Sequence, residues 1–165
     1  MLPRPDLSWW TLAPLLFFAL SFAAGGLFGS PALFFGSAAL FLALGLNEEL
    51  LFRGVIQHAL GTLGATRSVV WVGLLFGLQH AFTAIFFGAS HYEAGSLVIS
   101  SSASGAAYAA VRLRIDTIWP LAFLHGLENF CNTRSPGDAP WWWYLSEAIF
   151  FVLYAAWLLR RSRVA

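Results

Sequence analysis

The sequence predicts an all-α, polytopic membrane protein: a helical bundle of about six transmembrane helices, one domain over residues 1–165, with both termini cytoplasmic. Three observations predict it. Hydrophobic residues make up 59% of the chain and charged residues only 10%, against about 45–50% and about 25% in a soluble domain, so polar groups cannot cover a globular surface. The apolar residues fall into six stretches near the roughly 20 residues that a helix needs to cross a bilayer core of about 30 Å. The basic residues, all nine of them arginine, divide unevenly between the two sides that those stretches define. The same composition excludes other classes. A net charge of +1 offers no footprint for nucleic acid. The single cysteine, Cys131, makes neither an internal disulfide nor a cysteine-based zinc site.

The first span runs from about Trp9 to Phe28 without a charge, and no small-residue cleavage site marks it as a signal peptide. The second follows Pro31, from about Ala32 to Leu60, and carries Glu48, Glu49 and Arg53. The third, about Val69 to Phe87, contains His80, and the fourth, about Ala94 to Val111, is rich in Ser, Gly and Ala. Small residues let helix backbones approach closely in lipid, so the fourth span is expected at the centre. The fifth, about Thr117 to Cys131, contains His125, and the sixth runs from about Trp141 to Leu159. The breaks are Gly29 to Pro31, Gly61 to Ser68, Gly88 to Glu93, Arg112 to Asp116 and Asn132 to Pro140.

Orientation follows from arginine placement. Arg4, Arg67, Arg112, Arg114, Arg160, Arg161 and Arg163 share one side, and Arg134 stands on the other. The first side is therefore cytoplasmic, in a multi-pass protein of the plasma (inner) membrane. Trp141 to Trp143 anchor the outer interface, and Trp9 and Trp10 the inner one. The arginine-only basic set hints at a GC-rich bacterial genome.

Ionisable groups at membrane depth are costly unless paired or facing a polar cavity, so their default reading is functional. Glu49 and Arg53 are i,i+4 neighbours able to pair, while Glu48 is rotated about 100° away and left for another neighbour. His125 and Asn129 share one face of the fifth span. At about 1.5 Å per residue, Glu48, His80 and His125 lie at depths compatible with convergence. A carboxylate beside an imidazole can bind and deprotonate a water, with Arg53 or a protonated histidine keeping that base ionised. A second imidazole and an amide can donate to a developing oxyanion. The reaction class is amide hydrolysis within the membrane.

Glu-Glu-x-x-x-Arg (Glu48, Glu49, Arg53), Phe-x-x-x-His (Phe76, His80) and His-x-x-x-Asn (His125, Asn129), in that order on separate spans, resemble the CPBP family, the CAAX-protease and bacteriocin-processing or ABI family. The resemblance covers about Leu46 to Asn129. It implies a glutamic-type intramembrane endopeptidase in which Glu48 and His80 activate water, His125 and Asn129 form the oxyanion site, and Glu49 and Arg53, beside Phe76, support the site. Compact bacterial members, the myxosortase-like and JDVT-CTERM-associated proteases, are similar to it and imply processing of C-terminal membrane tails. The expected partners are therefore a membrane-protein or lipid-anchored substrate and the bilayer itself, with no nucleic acid and no cofactor. A bacterial host makes prenyl-cysteine an unexpected substrate.

Three alternatives stay open. His80, His125 and Glu48 could form a His₂Glu zinc site, although no His-Glu-x-x-His helix exists and Asn129 is an unusual ligand. Ser104, in Ser102-Ala103-Ser104-Gly105-Ala106, with His125 resembles a rhomboid-type serine protease, but leaves the Glu48–Glu49–Arg53 cluster unexplained. The polar cluster could also be a structural network in a non-catalytic scaffold or bacteriocin-immunity protein. Elsewhere His58 is expected at the interface, His91 and Glu93 in a solvated outer loop, and Glu128 in a structural or rim role. Glu147 is expected to reach outward or pair with Arg134, Arg112 and Arg114 to set topology, and Cys131 to pack as a small apolar residue.

Overall fold

The computed structural model describes residues 9–137 and 139–161. Arg4 and Arg163 lie outside them, as does the side chain of Arg161. The described residues form six helical rods and no strand. Helix α1 (Ala13–Ser21) is flanked by 3₁₀ turns at Trp9–Leu12 and Phe22–Gly25. Helix α2 (Pro31–Glu49) continues through a π segment (Leu50–Ile56), a short α stretch (Gln57–Ala59) and a 3₁₀ turn (Leu60–Leu63). Then come α3 (Ala65–Phe86), α4 (His91–Ile115), α5 (Trp119–Arg134) and α6 (Trp141–Arg161).

Sequence chemistry explains where the rods begin and end. Pro31 opens α2, where its missing N–H costs nothing, and the Ser30 hydroxyl accepts from Leu33 N. Gly64, at φ +85°, separates α2 from α3. Gly26, at φ +93°, ends the first helical run at Gly25, short of the expected boundary near Phe28. Helix α4 is longer than expected at both ends. Ser90 and Glu93 form a capping box, each side chain bonding the other residue's backbone N–H (Glu93 Oε2 to Ser90 N, 2.8 Å; Ser90 Oγ to Glu93 N, 3.2 Å). His91 and Glu93 therefore sit in the first turn of a helix rather than in a loop. The backbone N–H of Ser90 first, and the Ser90 side chain after it, hold the Glu93 carboxyl below its ordinary range. At the other end α4 runs through Arg112 and Arg114 to Ile115, and Asp116 in the left-handed region stops it.

Helix α4 is the centre of the bundle, as its small residues predict. Ala103, Ala107, Tyr108, Ala109, Ala110 and Val111 are all buried. Its floor of small side chains meets glycines on α3. A Cβ at Gly73 would lie 2.7 Å from the Ser102 carbonyl, and one at Gly77 would collide with Ser102. Helix α6 packs on another face of α4 and runs parallel to it, with Arg114 donating to the Leu158 carbonyl (2.6 Å). Tyr154 ties α6 to the start of the chain through Thr11 O (2.8 Å). Helix α5 packs on α1 and α2.

The outside of the bundle is apolar. Phe35 is 78% exposed, Phe82 75% and Phe86 83%, a surface that suits lipid. Helix α3 and residues Trp141–Arg160 of α6 are each long and apolar enough to cross a membrane; Trp9–Gly25 is apolar but shorter. Glu147, expected to reach outward or to Arg134, does neither. It is 5% exposed, and its Oε1 has no hydrogen-bond partner. It lies on the inward stripe of α6 with Ala148, Phe151 and Tyr154, a placement that helix phase sets and composition does not reveal. Cys131 is buried, as expected, and His58 is exposed.

Candidate active site

Two glycines create the site. A Cβ on Gly45 of α2 would lie 2.7 Å from the Ala122 carbonyl and 2.8 Å from Gly126 N, and a Cβ on Gly126 of α5 would lie 2.9 Å from Leu42 Cα. The backbones of α2 and α5 therefore touch. One turn beyond Gly45 come Glu48 and Glu49, and beside Gly126 stands His125. Glu49 Oε1 lies 3.0 Å from His125 Nδ1 and 2.8 Å from Arg53 Nη1. Glu48 Oε2 lies 3.2 Å from His125 Nε2. Both glutamates thus reach one imidazole, from opposite ring nitrogens, whereas the sequence suggests that they part company.

An imidazole facing a carboxylate at each nitrogen satisfies both only as a double donor. Glu48, Glu49, Arg53 and a doubly protonated His125 then carry no net charge together, the condition under which ions persist away from water. The two glutamates are not equivalent. Glu49 is fully buried and locked by Arg53 and His125, while the Glu48 side chain is 17% exposed. Gln79 Nε2 lies 3.5 Å from the other Glu48 oxygen.

Arg53 also donates to the Gly105 carbonyl of α4 (3.1 Å), and Gln57, one turn on, donates to the Ala109 carbonyl (2.8 Å). The two bonds form a ladder between parallel helices. It starts within the π segment, a helical variant common at functional sites. The Arg53 guanidinium lies over the rings of Phe76 (4.6 Å) and Tyr108 (5.3 Å). Phe76 packs edge-on against Phe52 (5.0 Å between centroids) and His125 (5.6 Å), and also contacts His80 (4.5 Å).

Phe76 thus joins His80 to the glutamate cluster. His80 is half-buried, and its Nδ1 bonds the Phe76 carbonyl (2.8 Å), which leaves Nε2 for another partner. Asn129 is half-buried one turn beyond His125. Among the described residues its side chain makes no hydrogen bond to the glutamates or to another group. The sequence reading missed Gln79, Gln57 and Tyr108. Tyr108 packs on His125 (5.6 Å) and donates to Glu128 Oε2 (3.2 Å). Glu128 therefore has a structural contact next to the site. A polar residue directly before His80 was the available signal for Gln79; a lone tyrosine among alanines was the signal for Tyr108.

The geometry also bears on the alternatives. The Ser104 hydroxyl donates to the Ser101 carbonyl of its own helix (3.2 Å), an arrangement unlike a nucleophile held by a base. Among the described residues no three His, Cys, Asp or Glu side chains are grouped to hold a metal ion. Both nitrogens of His125 already face carboxylates.

No curated protein and no solved structure matches the chain. A family model does, over residues 28–131, a range that takes in the glycine crossing, both glutamates, Arg53, Phe76 and both histidines. Since that match spans well over half of its length, the chain belongs to the type II CAAX prenyl endopeptidase Rce1-like family, a family of membrane-embedded proteases.

Proposed function

We propose that this protein is a glutamic-type intramembrane endopeptidase that hydrolyses a peptide bond in a membrane-embedded or lipid-anchored polypeptide without a metal. The observation that carries this reading is the inequality of the paired glutamates. Glu49 is closed off by Arg53 and His125, while Glu48 keeps a partly exposed carboxylate over the same imidazole.

Glu48 is the general base. Water bound between Glu48 and the Nε2 of His80 gives its proton to Glu48 as its oxygen attacks the substrate carbonyl carbon. Once protonated, Glu48 loses its charge-assisted hold on His125 Nε2–H. That donor, with the Asn129 amide, then turns to the carbonyl oxygen as it becomes an oxyanion. Collapse of the tetrahedral intermediate breaks the C–N bond, and the proton on Glu48 passes to the leaving amine. Glu49 and Arg53 fix the imidazole through its other nitrogen, and Phe76 carries His80. The chain spans the membrane six times with both termini cytoplasmic, and its substrates are C-terminal membrane tails of the kind handled by small bacterial relatives.

Cleavage of candidate C-terminal tails by purified protein in detergent tests this. Glu48→Gln should lower the rate by about 10²–10⁴-fold while the protein stays folded, with a smaller fall in melting temperature than Glu49→Gln because the Glu48 carboxylate is partly exposed. His80→Ala should also lose activity, and a chelator should leave the wild type untouched. Full activity in Glu48→Gln would overturn the assignment. Unfolding of that variant would favour a structural network instead.

A further inference from the structure

We propose that a groove between α3, α4 and α6, which the glutamate cluster does not line, is a binding site for one anionic phospholipid, with its head group at Arg160 and its acyl chains along the groove. The groove encloses about 860 Å³. None of Glu48, His80 or His125 lines it. Val69, Val98, Ala103, Ile149, Val152 and Leu159 are representative of its walls. The polar lining residues are Thr66, Ser102 and Arg160. Thr66 opens α3 and Arg160 closes the antiparallel α6, so both mark the same end.

Charge identifies the occupant's head. Arg160 is exposed at the groove's end, and Arg67, also exposed, follows Thr66. The carboxylate at the end of α4, Asp116, is already engaged by Arg112 (2.9 Å). The mouth is therefore cationic and the interior apolar, the pattern of basic pockets between transmembrane helices that hold anionic head groups.

Length identifies the tail. Lining residues on α6 run from Leu145 to Arg160, about 22 Å at 1.5 Å per residue. Half of a bilayer of about 40–45 Å, head groups included, is about 20–22 Å. The groove thus matches one lipid in one leaflet. A docked helix would need a surface crossing the full core of about 30 Å.

The test titrates delipidated protein in detergent with phosphatidylglycerol, phosphatidylcholine or inorganic phosphate and follows the melting temperature. Phosphatidylglycerol should stabilise the wild type at lower concentration than phosphatidylcholine, and inorganic phosphate should have no effect. Arg160→Ala should shift the phosphatidylglycerol midpoint by about fivefold, the share of one basic residue near an anionic head group, and leave phosphatidylcholine unchanged. Ala156→Trp and Val152→Phe should abolish the response by filling the groove. Equal responses to the two lipids, an unshifted midpoint in Arg160→Ala, or full responses in both filled variants would each overturn the proposal. So would conversion of a dimer to a monomer by the filled variants, since the groove would then hold a second copy. Arg160 is exposed at a helix end, so its variant decides the question even if a filled variant does not fold.

Discussion

Glu48 and Glu49 are neighbours in the chain with opposite demands on them. Glu49 is fully buried, and its Oε1 serves both Arg53 and His125. Replacing it with Gln leaves the guanidinium and the imidazolium short of a counter-charge. Breaking a buried pair in this way costs about 3–5 kcal/mol. Glu49→Gln should therefore show a large fall in melting temperature in detergent, whereas Glu48→Gln, at a partly exposed carboxylate, should lose much less stability and lose its activity. Equal losses of stability in the two variants would remove the distinction on which the role of Glu48 rests. Tyr108→Phe gives a milder reading. It removes one hydrogen bond to Glu128, about 1 kcal/mol, while the ring against His125 remains. The Glu49–Arg53 pair was legible because i,i+4 spacing names it, while the pairing of Phe76 with His80 was marked only by the family resemblance. Gln57, Gln79 and Tyr108 act across helices, and a contact between helices leaves no period in the sequence. The convergence of both glutamates on one imidazole was hidden for the same reason, since it depends on how closely α2 approaches α5.

That approach belongs to the scale of the element. Gly45 and Gly126 sit where a methyl group would strike backbone rather than a movable side chain. Gly45→Ala and Gly126→Ala should push the helices apart, and a displacement of about 1 Å at a reacting group can cost about 100-fold in rate. Gly36, on the same helix with open space around it, is the control: Gly36→Ala should leave the rate unchanged. A cleavage assay of the three variants checks this, and an active Gly126→Ala would show that close contact is not needed. Helix starts supply a second test. Ser90→Ala removes the α4 cap and should cost about 1 kcal/mol. The partner of Ser90, Glu93, has its pKa lowered in the folded state. Its contribution is thus present above its ordinary value of 4.5 and fades as pH falls through the lowered value. Protection from hydrogen exchange at the first turn of α4, taken relative to the intrinsic rate at each pH, should fall in Ser90→Ala at neutral pH and in the wild type only under acid. Ser90-x-x-Glu93 was readable as a capping box, yet a polar stretch between apolar runs reads first as a loop. The π segment had no such signal, because an i→i+5 turn uses the same apolar residues as an ordinary helix.

For the whole molecule, the rods alternate in direction. Helix α3 runs against α4, α6 runs with α4, and α2 runs with α4 along the Arg53 and Gln57 ladder. This alternation and the arginine bias together predict that both termini and the loops bearing Arg67 and Arg112 face the cytoplasm. In a Cys131→Ser background, a membrane-impermeant thiol reagent applied to intact cells should label Gly137→Cys and spare Asp6→Cys and Val164→Cys. Labelling of either terminus would change the number of crossings. Composition made the membrane class legible, since 10% charge cannot solvate a surface. The inward phase of α6 was not legible: Glu147 belongs to its buried stripe although the same helix also carries Leu153, 65% exposed.

The Arg53 and Gln57 ladder has a mechanical consequence. Helix α2 is bolted to α4 by two polar bonds and to α5 by bare backbone, and α3 is fused to α4 through its own glycines. The three helices that carry the reacting groups, together with α4, therefore move as one block. Any breathing that admits a polypeptide has to come from the periphery, from α1, from α6 or from the connections above α2, while the cleavage machinery stays rigid.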